Sequence, residues 1–349
     1  MKAQVLHEIG KIQYEEVTTP KPEPNEVLVK VHAAGICGSD VPRAYETGAH
    51  CHPIIIGHEF SGEVVEADDG WKGKRVGIFP LIPCGKCRPC QDKKYEMCRH
   101  YSYLGSRRNG GFAEYVVVPK WNLIKLTENV SYEQAAMLEP MAVAAHAMRQ
   151  TLDLKSASRD ISIAVCGLGT IGLLLTMFLK NEGFNNLLLL GNKKSQQDAI
   201  SVLGVEPECF YNVKSENPKE WVMSKTDDAG VDVFFECVGK SDTAQWAIDM
   251  AAPAGTVMLV GNPHSDMSLD KQVYWKILRN QLIIKGTWNS SFTNEKDDDW
   301  HYVIGLLESG KIAPEKFITH RFDLANLQNG LEIMRDKSED FIKVMCVEK

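Results

Sequence analysis

The sequence predicts a two-part α/β protein: a β-rich region of short strands, then a doubly wound parallel sheet. In the first part, runs at 27–32, 60–66 and 113–118 nearly alternate between apolar and polar residues, as half-buried strands do. Turn-forming clusters at 20–25, 68–73 and 108–111 punctuate them. Beyond residue 150 the texture changes: strand-length apolar runs occupy 161–166, 187–190, 231–236, 256–260 and 282–286. Helical stretches lie between them, to about 182, at 195–203 and at 243–252. Strands alternating with helices require crossovers and so a parallel sheet. The boundaries read as 1–147 for the β-rich domain and 148–286 for the dinucleotide-binding type of sheet, with 287–349 returning to the first domain. The acidic run at 294–300 reads as a solvated loop or a helix start.

A chain of 349 residues exceeds one ordinary core and suits two domains. Hydrophobic content of 44% and charged content of 24% are those of a globular protein rather than a disordered one. The formal charge of −7 argues against general nucleic-acid binding, which rests on a dense Lys/Arg footprint. The N-terminal stretch lacks the apolar run of a signal peptide, and no run of about 18 apolar residues suggests a membrane span. The expected location is the cytoplasm. In that reducing setting the ten cysteines read as metal ligands and small core residues rather than disulfides.

Four of them, Cys84, Cys87, Cys90 and Cys98, stand at spacings of two, two and seven intervening residues. Four thiolates close a tetrahedral shell around zinc and leave no open position, so this site is structural. An iron–sulfur cluster uses similar ligands.

A different set points to chemistry. Cys37 lies in Gly35-Ile-Cys-Gly-Ser-Asp, His58 and Glu59 follow Gly57, and Glu139 precedes Pro140. One Cys, one His and one carboxylate form a three-ligand site with its fourth position open, the pattern of a catalytic zinc. Ser39 is placed to begin a proton relay. Glu59 reads as an orienting residue or an exchangeable ligand, and Asp40 as a further support.

Gly167-Leu-Gly-Thr-Ile-Gly, including Gly169, Thr170, Ile171 and Gly172, is a G-x-G-x-x-G between a strand and a helix. It brings a pyrophosphate close to a helix N-terminus. The next strand ends in Gly191, Asn192, Lys193 and Lys194, where an NAD site ordinarily places an acid on the ribose 2′-hydroxyl. Without that acid, Gly191 leaves room for a 2′-phosphate and a lysine is available to pair with it. NADP(H) is favoured and NAD(H) stays open.

Together these residues resemble the zinc-containing medium-chain dehydrogenases along essentially the whole chain. The resemblance implies a GroES-like β domain, a Rossmann domain, a cleft between them, and homodimers or homotetramers. It also implies two zinc ions per subunit: a catalytic one on Cys37, His58 and Glu139, and a structural one on the four-cysteine lobe. Within the family, Cys37-Gly-Ser-Asp-Val-Pro-Arg, Gly48-Ala-His, Gly57-His-Glu-Phe-Ser-Gly and Gly105-Ser-Arg-Arg-Asn-Gly-Gly-Phe-Ala-Glu-Tyr are similar to galactitol-1-phosphate 5-dehydrogenases. The implied reaction interconverts a polyol phosphate and its keto form with NAD(P). A phosphorylated substrate needs a cation, for which Arg43, Arg107 and Arg108 are the candidates, whereas Lys276 and Arg279 read as a solvated helix face. The alternatives are an unphosphorylated polyol (sorbitol- or xylitol-like) or L-threonine as substrate, and, outside enzymes, a dinucleotide-binding redox sensor.

Overall fold

The computed structural model describes residues 1–214 and 217–348. It divides into two compact units: Met1–Ala142 together with the chain from Ser290 onward, and Val143–Asn289.

The first unit is built on a seven-stranded sheet. Its central strand, Glu26–Ile36, pairs antiparallel with Glu59–Glu66, Tyr115–Pro119 and the C-terminal strand Lys343–Val347. Beyond these lie Arg75–Ile78, Leu123–Lys125 and Ile318–Phe322. A three-stranded sheet of Lys11–Glu16, Lys2–Glu8 and Ile54–Ile55 stands beside it. The core between them includes Val27, Val29, Phe60, Val64, Val76, Phe112 and Val344, all essentially inaccessible to solvent. The alternation seen in the sequence is this geometry, since successive strand residues face opposite sides.

The second unit holds a six-stranded, all-parallel sheet in the order Phe210–Asn212, Leu187–Gly191, Ile163–Cys166, Val231–Glu236, Ala251–Leu259, Ile283–Gly286. In chain order this is 3-2-1-4-5-6, the doubly wound arrangement, whose crevice opens where the order reverses. Its inner strands are covered on both faces and are continuously apolar for that reason. The strand Phe210–Asn212 and the helix Pro218–Lys225 escaped the sequence reading. Three residues carry no period, and the helix is only weakly amphipathic, so neither leaves a pattern.

The acidic run near residue 298 is a helix start, but not a solvated one. Asp298 caps the helix Asp299–Glu308, and both Asp298 and Asp299 are buried. Asp298 accepts from the backbone N–H of His301 at 2.8 Å and of Thr293 at 2.9 Å. Trp300, fully buried next to this cap, meets Phe79 edge-on at 5.3 Å and donates to the Ser290 hydroxyl. Asp298→Ala removes the cap and strands two donors, and is expected to destabilise the protein by about 1–3 kcal/mol in chemical denaturation.

Candidate active site

The central strand of the first unit delivers Cys37 one residue past its end, and the neighbouring strand begins at Glu59, directly after His58. Gly35 and Glu59 are paired across these strands, which brings the three side chains together. The ligand atoms of Cys37, His58 and Glu59 all lie within 4.8 Å of one another. Ser39 donates its hydroxyl to Cys37 Sγ at 3.3 Å. Asp40, fully buried, accepts from the Cys37 N–H at 2.9 Å and from Arg43 Nη1 at 2.7 Å, and lies 3.4 Å from His58 Nδ1. Burial opposes charge on both Asp40 and His58, but each offsets this for the other: Asp40 is held below the usual carboxylate range, and His58, with Cys37 adding to the effect, well above the usual imidazole range.

Glu139 opens the helix Leu138–Thr151 and lies outside the 4.8 Å group, close enough for the charges of His58 and Glu59 to act on it. Its carboxylate accepts from the Tyr103 hydroxyl at 3.3 Å, and burial pushes its pKa up to about 7. Tyr103 also meets the His58 ring edge-on, with centroids 5.7 Å apart. Two residues here were not found from the sequence, Tyr103 and Lys343. Lys343 is only 2% exposed, makes an ion pair with Glu59, and donates to the Ile36 carbonyl at 3.0 Å. It comes from the last strand, 284 positions from its partner, and no local pattern marks it.

The four-cysteine lobe meets a simple geometric test. A tetrahedron with bonds of about 2.3 Å has sulfur–sulfur edges of about 3.8 Å. The Sγ separations for Cys84–Cys90, Cys87–Cys90 and Cys87–Cys98 are 3.9, 3.5 and 3.8 Å. The thiols also differ electrically: backbone N–H groups of Lys86 and Cys87 lower Cys84 to about 6, while burial raises Cys90 to about 12. These residues fit a closed zinc shell.

In the second unit a cavity of about 440 Å³ is lined by Gly167, Leu168, Gly169, Gly191, Asn192 and Gln196 among others, at the carboxyl ends of the strands. Gly167 has φ +94°, and a Cβ there would meet Val238 at 2.5 Å; a Cβ on Gly172 would strike the Gly167 carbonyl. At Gly169 the same position is open space, at the N-terminus of the helix Thr170–Asn181. Thr170 and Ile171 form the first turn of that helix rather than the cavity wall. This is a phosphate cradle at a helix N-terminus, and it fits a dinucleotide.

Gly191 is needed for a reason the sequence reading did not give. A Cβ there would meet Gln196 Oε1 and Phe210, both at 2.7 Å. A side chain at 191 would therefore require both neighbours to shift, and Gln196 Oε1 is itself engaged, accepting from the N–H of both Asn192 and Lys193. Lys194 is engaged with Asp198 one turn on. The cavity wall also includes Lys240 and Asp242, which the sequence reading did not single out.

The predicted arginines separate. Arg43 is tied to Asp40, and Arg108 to Glu26 at 2.7 Å. Arg107 lies over the Tyr101 ring at 4.3 Å.

Comparison with known proteins agrees with this architecture. Residues 23–128 match the model of the alcohol dehydrogenase GroES-like domain, and residues 132–346 that of the glucose dehydrogenase C-terminus. Galactitol 1-phosphate 5-dehydrogenase of Escherichia coli (strain K12) is 31% identical over 92% of each chain. L-threonine 3-dehydrogenase of Bacillus licheniformis is 31% identical over 92% of each chain. Sorbitol dehydrogenase of Halalkalibacterium halodurans is 30% identical over 99% of this chain and 98% of the relative. Among solved structures, galactitol-1-phosphate dehydrogenase from E. coli superimposes with a TM-score of 0.90 at 29% identity, covering all of both chains. A zinc-binding dehydrogenase from Sinorhizobium meliloti 1021 bound to NADP gives 0.89 at 26%, covering 99% of each chain. An alcohol dehydrogenase from E. coli CFT073 complexed with NADH gives 0.88 at 27%, covering 100% of this chain and 99% of the other.

The fold and the site thus define a zinc-type alcohol dehydrogenase, an oxidoreductase acting with a nicotinamide dinucleotide. The chain belongs to the zinc-containing medium-chain dehydrogenase family.

Lys343→Met leaves the Glu59 charge buried and unpaired, and is expected to destabilise the protein by about 3–5 kcal/mol. The double variant Glu59→Gln/Lys343→Met removes the orphaned charge, and denaturant titration of both should show it recovering much of that loss.

Proposed function

We propose that this protein interconverts a polyol phosphate and its keto form, in the manner of a galactitol-1-phosphate dehydrogenase. The observation that carries the chemistry is the convergence of Cys37, His58 and Glu59 within 4.8 Å, with the Ser39 hydroxyl on Cys37 Sγ. Cys37, His58 and Glu139 would hold the catalytic zinc, and Cys84, Cys87, Cys90 and Cys98 the structural one. Glu59 is already neutralised by Lys343, which favours Glu139 as the carboxylate committed to the metal and Glu59 as an orienting or exchangeable neighbour. Zinc when bound lowers the pKa of an alcohol, and the nicotinamide ring takes up the hydride. The chain's own part is to hold and move the proton: Ser39 takes it first, and Asp40 keeps His58 in place. Asp40 also anchors Arg43 beside the site.

The similarity to galactitol 1-phosphate 5-dehydrogenase and the arginines at 43 and 107 support a phosphorylated substrate. The sorbitol and threonine relatives mark the alternatives. NADP(H) is favoured over NAD(H): no acid ends the strand Leu187–Gly191, Gly191 itself lines the cavity, and Lys193 follows. Asp242 in the cavity wall keeps NAD(H) as the second reading. We place the protein in the cytoplasm, a location supported by its ten free cysteines. Among the described residues, no helix is long and apolar enough to cross a membrane.

We also propose a homo-oligomer, the homodimer being its smallest form. The strand Ile283–Gly286 ends its sheet with Ile283 and Ile284 exposed, and the helix Lys271–Arg279 exposes Tyr274, Trp275 and Leu278 nearby in the chain. An apolar sheet edge is a template for a second strand, and a second copy offers a self-complementary one. Lys276 is not simply solvated, since it pairs with Asp249.

Two measurements test these readings. Initial rates on free polyols and their phosphates with NADP⁺ and NAD⁺ should show the phosphate ester preferred by at least tenfold, NADP⁺ preferred, and activity lost to a chelator and restored by zinc. Preference for NAD⁺ would overturn the cofactor reading alone; equal rates on free and phosphorylated polyols would overturn the substrate. In sedimentation, Ile284→Lys should shift the protein toward monomer, and an unshifted dimer would place the interface elsewhere.

A further inference from the structure

We propose that the phosphate of the substrate is read by Arg107 and not by the adjacent Arg108. This rests on the polyol-phosphate reading and specifies its anion site. Arg107 Nη1 is buried without a hydrogen-bond partner, although the guanidinium carbon lies over the Tyr101 ring at 4.3 Å. A buried guanidinium nitrogen with no acceptor is costly unless an acceptor arrives. The planar fork of arginine suits two oxygens of one phosphate. Arg108 has no such vacancy: its Nη2 donates to Glu26 at 2.7 Å.

The placement relative to the metal ligands is equally direct. Tyr101 meets Tyr103 at 6.1 Å between ring centroids, and Tyr103 meets His58 at 5.7 Å. Arg107 is therefore two aromatic rings away from the metal-ligand cluster. Its loop is fastened to the segment that carries His58: Gly111 N–H donates to the Gly57 carbonyl at 2.8 Å, and Gly110 N–H to Ile55 at 2.8 Å. Gly105 and Gly110 approach the Gly57 backbone so closely that a Cβ on either would collide with it. The facing loop carries His50, whose imidazole desolvation and the charges of Arg107 and Arg43 keep below its usual pKa. Cys51 Sγ, 4.0 Å from the Arg107 carbonyl, joins the two loops.

The experiment uses the full-length, zinc-loaded protein with saturating dinucleotide, and compares a hexitol phosphate with the free hexitol. Inorganic phosphate serves as the anion probe, both as an inhibitor and in direct calorimetric titration. Arg107→Met should raise KM for the phosphate ester by about 30-fold or more, with kcat and the free hexitol changed far less, and should weaken phosphate binding in parallel. Arg107→Lys should restore part of that loss, since it returns the charge without the fork. Equal losses on both substrates would reduce Arg107 to a structural role, and a loss with Arg108→Met as large as with Arg107→Met would overturn the assignment. If the wild type turns over no phosphate ester but binds inorganic phosphate through Arg107, the substrate reading fails and the anion site stands. If inorganic phosphate binds equally to wild type and Arg107→Met, the anion site fails.

Discussion

The first unit is organised around a buried ion pair. Glu59 and Lys343 are each only 2% exposed and meet beneath the central strand at Gly35. Gly35 is required there: a Cβ would run into the Glu59 carboxylate and would lie 2.7 Å from Lys343 Cε. The pair joins three strands, because Gly35 is registered against Glu59 on one side and Met345 on the other. Burying two charges is costly unless they meet each other and find further hydrogen bonds. Here the ammonium also reaches the Ile36 carbonyl, immediately before Cys37. The strand Lys343–Val347 therefore fixes where the turn carrying Cys37 begins, and it is part of the framework of the candidate site.

The two candidate ligand sets are built in different ways. The four-cysteine lobe is local: its ligands fall within fifteen consecutive positions, and short-range turns bring their sulfurs to tetrahedral spacing. The site at Cys37 is assembled by strand register, with its carboxylates arriving from a neighbouring strand and from the helix Leu138–Thr151. A closed shell stabilises a loop, whereas a shell with an open position is of use only where a substrate can approach it. Asp40, fully buried, holds His58 on one side and Arg43 on the other, so the candidate ligand set and a neighbouring cation share one support.

Much of this was legible in the sequence, and the exceptions are instructive. The strands Ile163–Cys166, Leu187–Gly191 and Val231–Glu236 were visible because double-sided burial makes them continuously apolar. Phe210–Asn212 was not, since three residues show no period. Gly191 was read as making room, whereas Gln196 and Phe210 pack against it so tightly that a side chain there would collide. Tyr103 and Lys343 were missed because each acts on residues distant in the chain. Arg107 and Arg108 are adjacent and chemically identical; only their surroundings separate them, one paired with Glu26 and the other carrying a buried, unpartnered nitrogen.

By itself the sequence determined the fold class and the family, and it supplied the candidate ligand sets. These follow from spacing, periodicity and side-chain chemistry, which are local properties of the chain. Only the tertiary structure decided that Lys343 neutralises Glu59, that Tyr103 bonds Glu139, that Gly191 is a packing requirement, and which arginine retains an unused donor. Those are matters of burial and partnership between residues as much as 284 positions apart. The worth of a charge depends on what surrounds it in space, and that is fixed only when the strands take their register.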